Sequence, residues 1–287
     1  MNKKNVARFA VIGTPVGHSK SPAMHNAAYA AACCGWEYSA IECVDEAAAL
    51  EQINAVRNSA LQGLNITMPY KRLAMAQADE ADASARIAGG ANVLTLRDGK
   101  LLALNTDGLG AVNAIELAAD KPVAGLTACV CGTGPTSRSI AYALVSRGVL
   151  RVALLSRRAS RAQSAVEEMK AQIPGECPAS AFEAASYDAA AQLVPDCDIF
   201  VDATPLGMQA GDDAVIDTAL LRKGQTVLDV VYGHGVTPLV SGARAQGAVA
   251  VDGSEMLVGQ AVYSIMAWQE SLGIEFPIDR ELMRAVF

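Results

Sequence analysis

The chain has 287 residues, 52% hydrophobic and 18% charged, with a formal net charge of −7. Domains usually run to about 100–150 residues, so this length predicts two of them. The apolar, acidic balance excludes a disordered chain and disfavours nucleic acid as a partner, while leaving room for a small anion held inside a cleft.

Lys3 and Lys4 precede an apolar run that reaches Gly13 and Pro15 too soon for a signal peptide and has the length of a buried strand. No segment approaches the roughly 18 apolar residues of a membrane helix, so a cytoplasmic protein with no membrane partner is expected. Alternation then predicts a strand over 6–12, a helix over 21–34, a strand over 37–43, a helix over 46–58 and a strand over 62–67. Asp98-Gly99 between two apolar stretches predicts a hairpin. A helix over 108–119 follows, with Lys121-Pro122 as its stop.

From Leu126 the pattern resets to strand (TACVCG), glycine-rich turn, helix (PTSRSIAYALVSRG) and strand (VLRVALLSR), a complete βαβ unit. A helix over 159–172, strands over 197–203 and 226–231, a helix over 237–246 and a strand over 248–251 extend it into a doubly wound sheet. Helices near 254–271 and 278–286 close the chain. The fold class expected is α/β: an N-terminal α/β ligand domain over 1–107, joined by the helices of about 254–287, plus a Rossmann-type dinucleotide domain over 108–253, with an interdomain cleft. The seven cysteines, Cys33, Cys34, Cys43, Cys129, Cys131, Cys177 and Cys197, form no CxxC pair and have no histidine at ligand spacing. They read as free thiols with no metal site, and Cys129 and Cys131 share one face of a strand as core residues do.

In a Rossmann turn the first glycine permits the bend, the second lets backbone approach the pyrophosphate, and the helix N-terminus supplies N–H groups. Gly132 and Gly134 fit, Pro135 suits a first helical position, and Ser137 is a small third residue. The next strand ends without an acid in Ser156-Arg157-Arg158, with Arg161 one turn on. Guanidinium groups suit a ribose phosphate, so NADP(H) is favoured over NAD(H); a solvated basic helix start is the bland alternative.

In the first half, Ser19 and Ser21 follow the first strand and can hold a carboxylate, with helix capping by Ser21 expected as well. Asn65, Thr67 and Lys71 follow the third strand, and the LNTDG exit delivers Asp107. Ligands in open α/β sheets lie at such strand ends.

Taken together, HSKSPAMHN, NITMPYK, GGAN, NTDGLG, the Gly132 turn, ATPLGM, DVVY, TPL and GSEMLVGQA resemble the shikimate dehydrogenase family in order and spacing over nearly the whole chain. The resemblance implies reversible, NADP-dependent reduction of 3-dehydroshikimate to shikimate in aromatic amino-acid biosynthesis. It implies that Ser19 and Ser21, helped by Thr67 and Tyr232, hold the substrate carboxylate. Asn65, Asn92, Asp107 and Gln260 would bind ring hydroxyls, with Lys71 and Asp107 as the catalytic pair. On the cofactor side it implies Gly132, Thr133, Gly134, Pro135, Thr136, Ser156, Arg157, Arg158, Arg161, Thr204, Met208, Gly253 and Met256, the two methionines having plain core packing as an open alternative. His18 and His25 are expected to be structural.

The chain departs from the family pattern in several places: GTGPT for GAGGA, Ser156 and Asp202 for asparagines, Ile265 for an aromatic, and His234 where proline is common. Asp202 is expected near the cofactor, where it can weaken phosphate binding or reach a ribose. Quinate or another cyclic hydroxy acid therefore remains an alternative substrate, and a non-catalytic nucleotide sensor is the alternative from another class. No motif demands a dimer, so monomer and homodimer both stand.

Overall fold

The structure is a computed structural model that describes residues 6–175 and 177–287; Lys3 and Lys4 lie outside it. The chain divides into two compact units, one running to Thr106 and resuming at Gln260–Phe287, the other spanning Asp107–Gly259.

The first unit contains β1 (Arg8–Gly13), α1 (Ser21–Ala31), β2 (Glu37–Glu42), α2 (Glu46–Arg57), β3 (Gly63–Ile66), α3 (Lys71–Gln77), β4 (Glu80–Ala81), α4 (Ala83–Ala88), β5 (Val93–Arg97) and β6 (Lys100–Leu104). The second contains α5 (Asp107–Ala119), β7 (Thr127–Cys131), α6 (Pro135–Ser146), β8 (Arg151–Ser156), α7 (Ala159–Lys170), β9 (Phe182–Ser186), α8 (Ala190–Leu193), β10 (Ile199–Asp202), β11 (Thr226–Asp229), α9 (Pro238–Ala245) and β12 (Val249–Val251). Helix α10 (Ser254–Leu272) begins in the second unit and ends in the first, which α11 (Arg280–Arg284) closes.

The first sheet has the order β2-β1-β3-β5-β6-β4. Strands β1, β2 and β3 run parallel, whereas β5 is antiparallel to both β3 and β6. The exits of β1, β3 and β6 and the entry to β5 therefore share one edge. One face packs Ile12, Ile53, Leu64, Ile66, Leu94 and Leu101. The C-terminal half of α10 buries Trp268 where Gly63 leaves room: a Cβ at Gly63 would stand 2.1 Å from the indole Nε1. Trp268 stacks on Phe9 at 4.5 Å and donates to the Leu94 carbonyl at 3.2 Å, and a fully buried ring of this kind contributes about 3 kcal/mol.

The second sheet is wholly parallel in the order β12-β11-β10-β7-β8-β9, the doubly wound arrangement, with its reversal between β7 and β10. Cys129 and Cys131 point into one core with Phe200, Val227 and Leu239, and all seven cysteines are free.

Three expectations need correction, and one strand was not expected. Ser21 does not cap α1: it is the first helical residue behind Lys20, and its own N–H donates to Ser19 Oγ at 3.2 Å. Helix α5 ends at Ala119 because Asp120 turns left-handed at φ 51°, before Pro122 is reached. Lys71 opens α3 rather than lying in a turn. An additional strand, β9, pairs with β8 from Val152↔Phe182 to Ser156↔Ser186; its sequence, FEAAS, is weakly strand-forming, and pairing along β8 decides it. Within the described residues no helix is long and apolar enough to cross a membrane.

Candidate active site

Along the first sheet's shared edge, the loop after β1 is drawn in by Glu42, which accepts from Thr14 Oγ1 at 2.6 Å and from the Val16 N–H at 2.9 Å. Those two bonds, the hydroxyl first, hold the exposed Glu42 carboxyl below its usual value. The loop brings Ser19 half-buried to the start of α1. Beside it, a Cβ on Gly13 would meet Thr67 Cγ2 at 2.3 Å, so glycine lets the β1 and β3 exits approach. Thr67 and Lys71 follow β3, both half-buried, and the Lys71 carbonyl accepts from Ala91 N–H at 2.8 Å.

Asn92, 3% exposed, sits just before β5. Its Oδ1 accepts from the Thr106 N–H at 2.8 Å, and its Nδ2 donates to Thr106 Oγ1 and to Gln260 Oε1, each at 3.1 Å. Gln260, on α10, thus has its amide oxygen fixed, and its Nε2 has no protein acceptor among the described residues. Asn65 is more deeply engaged: its Oδ1 accepts from Tyr38 Oη at 2.7 Å and its Nδ2 donates to the Asn92 carbonyl and Ser264 Oγ. With 5% exposure, it acts in this arrangement as a strut behind Asn92. His25 stacks on Tyr38 at 4.0 Å with complete burial, which pushes its pKa down to about 3 and keeps the ring neutral. His18 is exposed.

In the second unit the parallel strands bring the remaining candidates to one edge of their sheet. Gly132, after β7, has φ +106°, and a Cβ there would stand 2.4 Å from Ser137 Oγ. A Cβ on Gly134 would meet nothing within 4 Å, so the turn leaves open space above a helix N-terminus begun by Pro135. That space and those backbone N–H groups fit a pyrophosphate. Arg138 locks the turn, donating Nε–H to the Thr133 carbonyl at 3.0 Å and pairing with Glu168 at 2.6 Å. In the sequence Arg138 is marked only as a basic residue four positions into the helix that follows the glycine-rich turn. After β8, Ser156 is buried while Arg157, Arg158 and Arg161 are exposed.

Asp107 begins α5, 5% exposed, and Oδ2 accepts from Thr136 Oγ1 at 2.9 Å. At the end of β10, Asp202 is 1% exposed and its Oδ1 takes the Thr204 N–H at 2.8 Å, so it shapes the ATPLGM turn from within the protein. Burial, aided by the neighbouring Asp229, pushes its pKa up to about 7. Met208 is half-buried in that turn, which Asp212 closes by accepting from the Gly207 N–H at 2.8 Å. Tyr232 follows β11, half-buried. A Cβ at Gly253 would lie 2.1 Å from the Val230 carbonyl, so glycine is required for the backbone approach that starts α10, and Met256 is buried on its first turn.

Comparison with known proteins follows this division. Residues 11–94 match the shikimate dehydrogenase substrate binding domain. A shikimate dehydrogenase (NADP(+)) from Rubrobacter xylanophilus is 37% identical over 90% of this chain and 89% of its own. Among solved structures, shikimate 5-dehydrogenase from Thermus thermophilus, in complex with NADP(H) and shikimate, is 28% identical with a TM-score of 0.82 over 98% of both chains. Quinate dehydrogenase from Corynebacterium glutamicum, in complex with NAD, is 29% identical with a TM-score of 0.82 over 98% of both. Given a relative this similar over nine-tenths of its length, the chain belongs to the shikimate dehydrogenase family.

Proposed function

We propose that this protein catalyses the reversible, NADP-dependent reduction of 3-dehydroshikimate to shikimate. The observation that carries this reading is the buried Asn92–Thr106–Gln260 network, which fixes amide groups on the same sheet edge as Ser19 and Thr67. Gln260, its Oε1 fixed by Asn92, keeps its Nε2 for a ring hydroxyl, and an analogue lacking that hydroxyl leaves the group unpaired. Ser19 and Ser21, with Thr67 and Tyr232, hold the carboxylate in this reading. Asn92, Gln260 and Asp107 take the hydroxyls, and Asn65 supports Asn92.

NADP(H), when bound at the Gly132 turn with its extra phosphate on Ser156, Arg157, Arg158 and Arg161, supplies or accepts the hydride. Thr133 and Thr136 line the turn, while Thr204, Met208, Gly253 and Met256 form the nicotinamide side. Lys71 Nζ stabilises negative charge on the reacting oxygen and provides its proton, and the Asp107 carboxylate orients the groups around it.

Initial rates with shikimate and quinate, each with NADP+ and NAD+, test the proposal. The highest kcat/KM is expected for shikimate with NADP+. Higher kcat/KM with quinate moves the protein to the quinate/shikimate alternative. NADPH binding without turnover of either acid makes it a nucleotide sensor.

A further inference from the structure

The cofactor turn and the proposed catalytic carboxylate belong to different elements, yet they are tied at two points. Thr136 and Ser139 lie three residues apart on α6 and so face the same way. Thr136 Oγ1 donates to Asp107 Oδ2 at 2.9 Å, and Ser139 Oγ accepts from the Gly108 N–H at 2.9 Å. Helices α5 and α6 approach to backbone contact here, since a Cβ on Gly108 would lie 2.1 Å from the Ser139 carbonyl. The backbone of α5's first turn is therefore anchored through Ser139 and Gly108. Asp107 is 5% exposed, so the Thr136 hydroxyl holds its Oδ2 with little competition from water.

From this geometry we infer that Thr136 is a positioning residue for Asp107: its hydroxyl is one of the groups that orient the carboxylate, so the turn that receives the cofactor also helps set the acid that serves the substrate. This rests on the role given to Asp107 above. Without the hydroxyl, the carboxylate loses one of the hydrogen bonds that orient it, and substrate affinity falls although the turn's backbone N–H groups and glycines are untouched.

The test compares Thr136→Val, which keeps the branched shape without the hydroxyl, with Thr136→Ser, which restores it; Thr136→Ala replaces the valine variant if that does not fold. Shikimate affinity is measured by calorimetry on cofactor-free protein, NADPH affinity by fluorescence titration, and kcat with [4-2H]NADPH. Thr136→Val should weaken shikimate binding and lower kcat by about tenfold each, the scale of one hydrogen bond to a charged group, while NADPH Kd changes less than about twofold. Its deuterium isotope effect should rise as the chemical step slows, and Thr136→Ser should recover most of the loss. A valine variant equal to wild type overturns the inference, as does one in which NADPH affinity falls as far as shikimate affinity, since Thr136 would then act on the turn alone. Wild-type protein that turns over neither shikimate nor quinate overturns the proposed function together with this inference. Active wild type with an unaffected valine variant overturns the inference only.

Discussion

Asn92 and Arg157, proposed to meet a ring hydroxyl and the cofactor phosphate, stand for two ways of preparing a ligand site. Asn92 is 3% exposed, and both ends of its amide are committed to Thr106 and Gln260 before any ligand arrives. Arg157 is exposed at the end of β8, with Arg158 and Arg161 beside it. A buried amide network gains discrimination from its rigidity, and the same bonds support the fold, so binding and stability are inseparable there. An exposed arginine offers charge that water and salt screen, and it can be removed without cost to the fold.

Substitutions can break or sharpen that contrast. Lys71→Ala, at a half-buried position of the first unit, should lower kcat about a hundredfold or more while leaving the urea midpoint close to wild type, separating chemistry from support. Asn92→Ala should do both at once, costing about 2 kcal/mol by urea denaturation along with kcat/KM, because the Thr106 N–H and Gln260 Oε1 lose their partner. Unchanged stability there would dissolve the comparison.

Asp202→Asn probes a buried polar group in the second unit with the opposite sign. Burial raises the folded-state pKa of Asp202 to about 7, above its unfolded value near 4, so the folded protein binds this proton more tightly. Its contribution to stability is complete below about pH 4 and is lost as pH rises through about 7. Asparagine can still accept the Thr204 N–H and does not titrate. The variant should therefore be more stable than wild type at pH 8, by on the order of 4 kcal/mol, with the gain vanishing only below about pH 4. A variant less stable at pH 8 would show that the charged carboxylate is needed. Smallest of all, Arg157→Ala should weaken NADPH binding about tenfold, leave NADH binding and thermal stability unchanged, and flatten the salt dependence of NADPH affinity.

The sequence exposed most where a local pattern decides structure. Central strands such as β7 and β8 are apolar runs, Asp98-Gly99 marks its hairpin, and Pro135 marks the start of α6. Short or edge elements were harder. Strand β9 is set by pairing with β8, and α3 and β4 are too brief to show a period. Helix α4 did carry a readable signal, since Asp82 caps it through the Ala85 N–H and Gly89 ends it left-handed at φ 66°. Motifs pointed to individual candidate residues, whereas their partners depended on the tertiary fold. The bonds from Asn92 to Gln260, 168 residues apart, and from Thr136 to Asp107, 29 apart, have no local signature. Nor did sequence show that Asp202 turns inward instead of reaching a ribose.

The most direct test of the central claim is the rate of 3-dehydroshikimate reduction with NADPH against NADH at equal concentration, with the product identified as shikimate. The account predicts shikimate formation with kcat/KM for NADPH at least about tenfold above that for NADH, reflecting phosphate held by the arginines after β8. Equal or faster reduction with NADH, or no reduction with either, would contradict it.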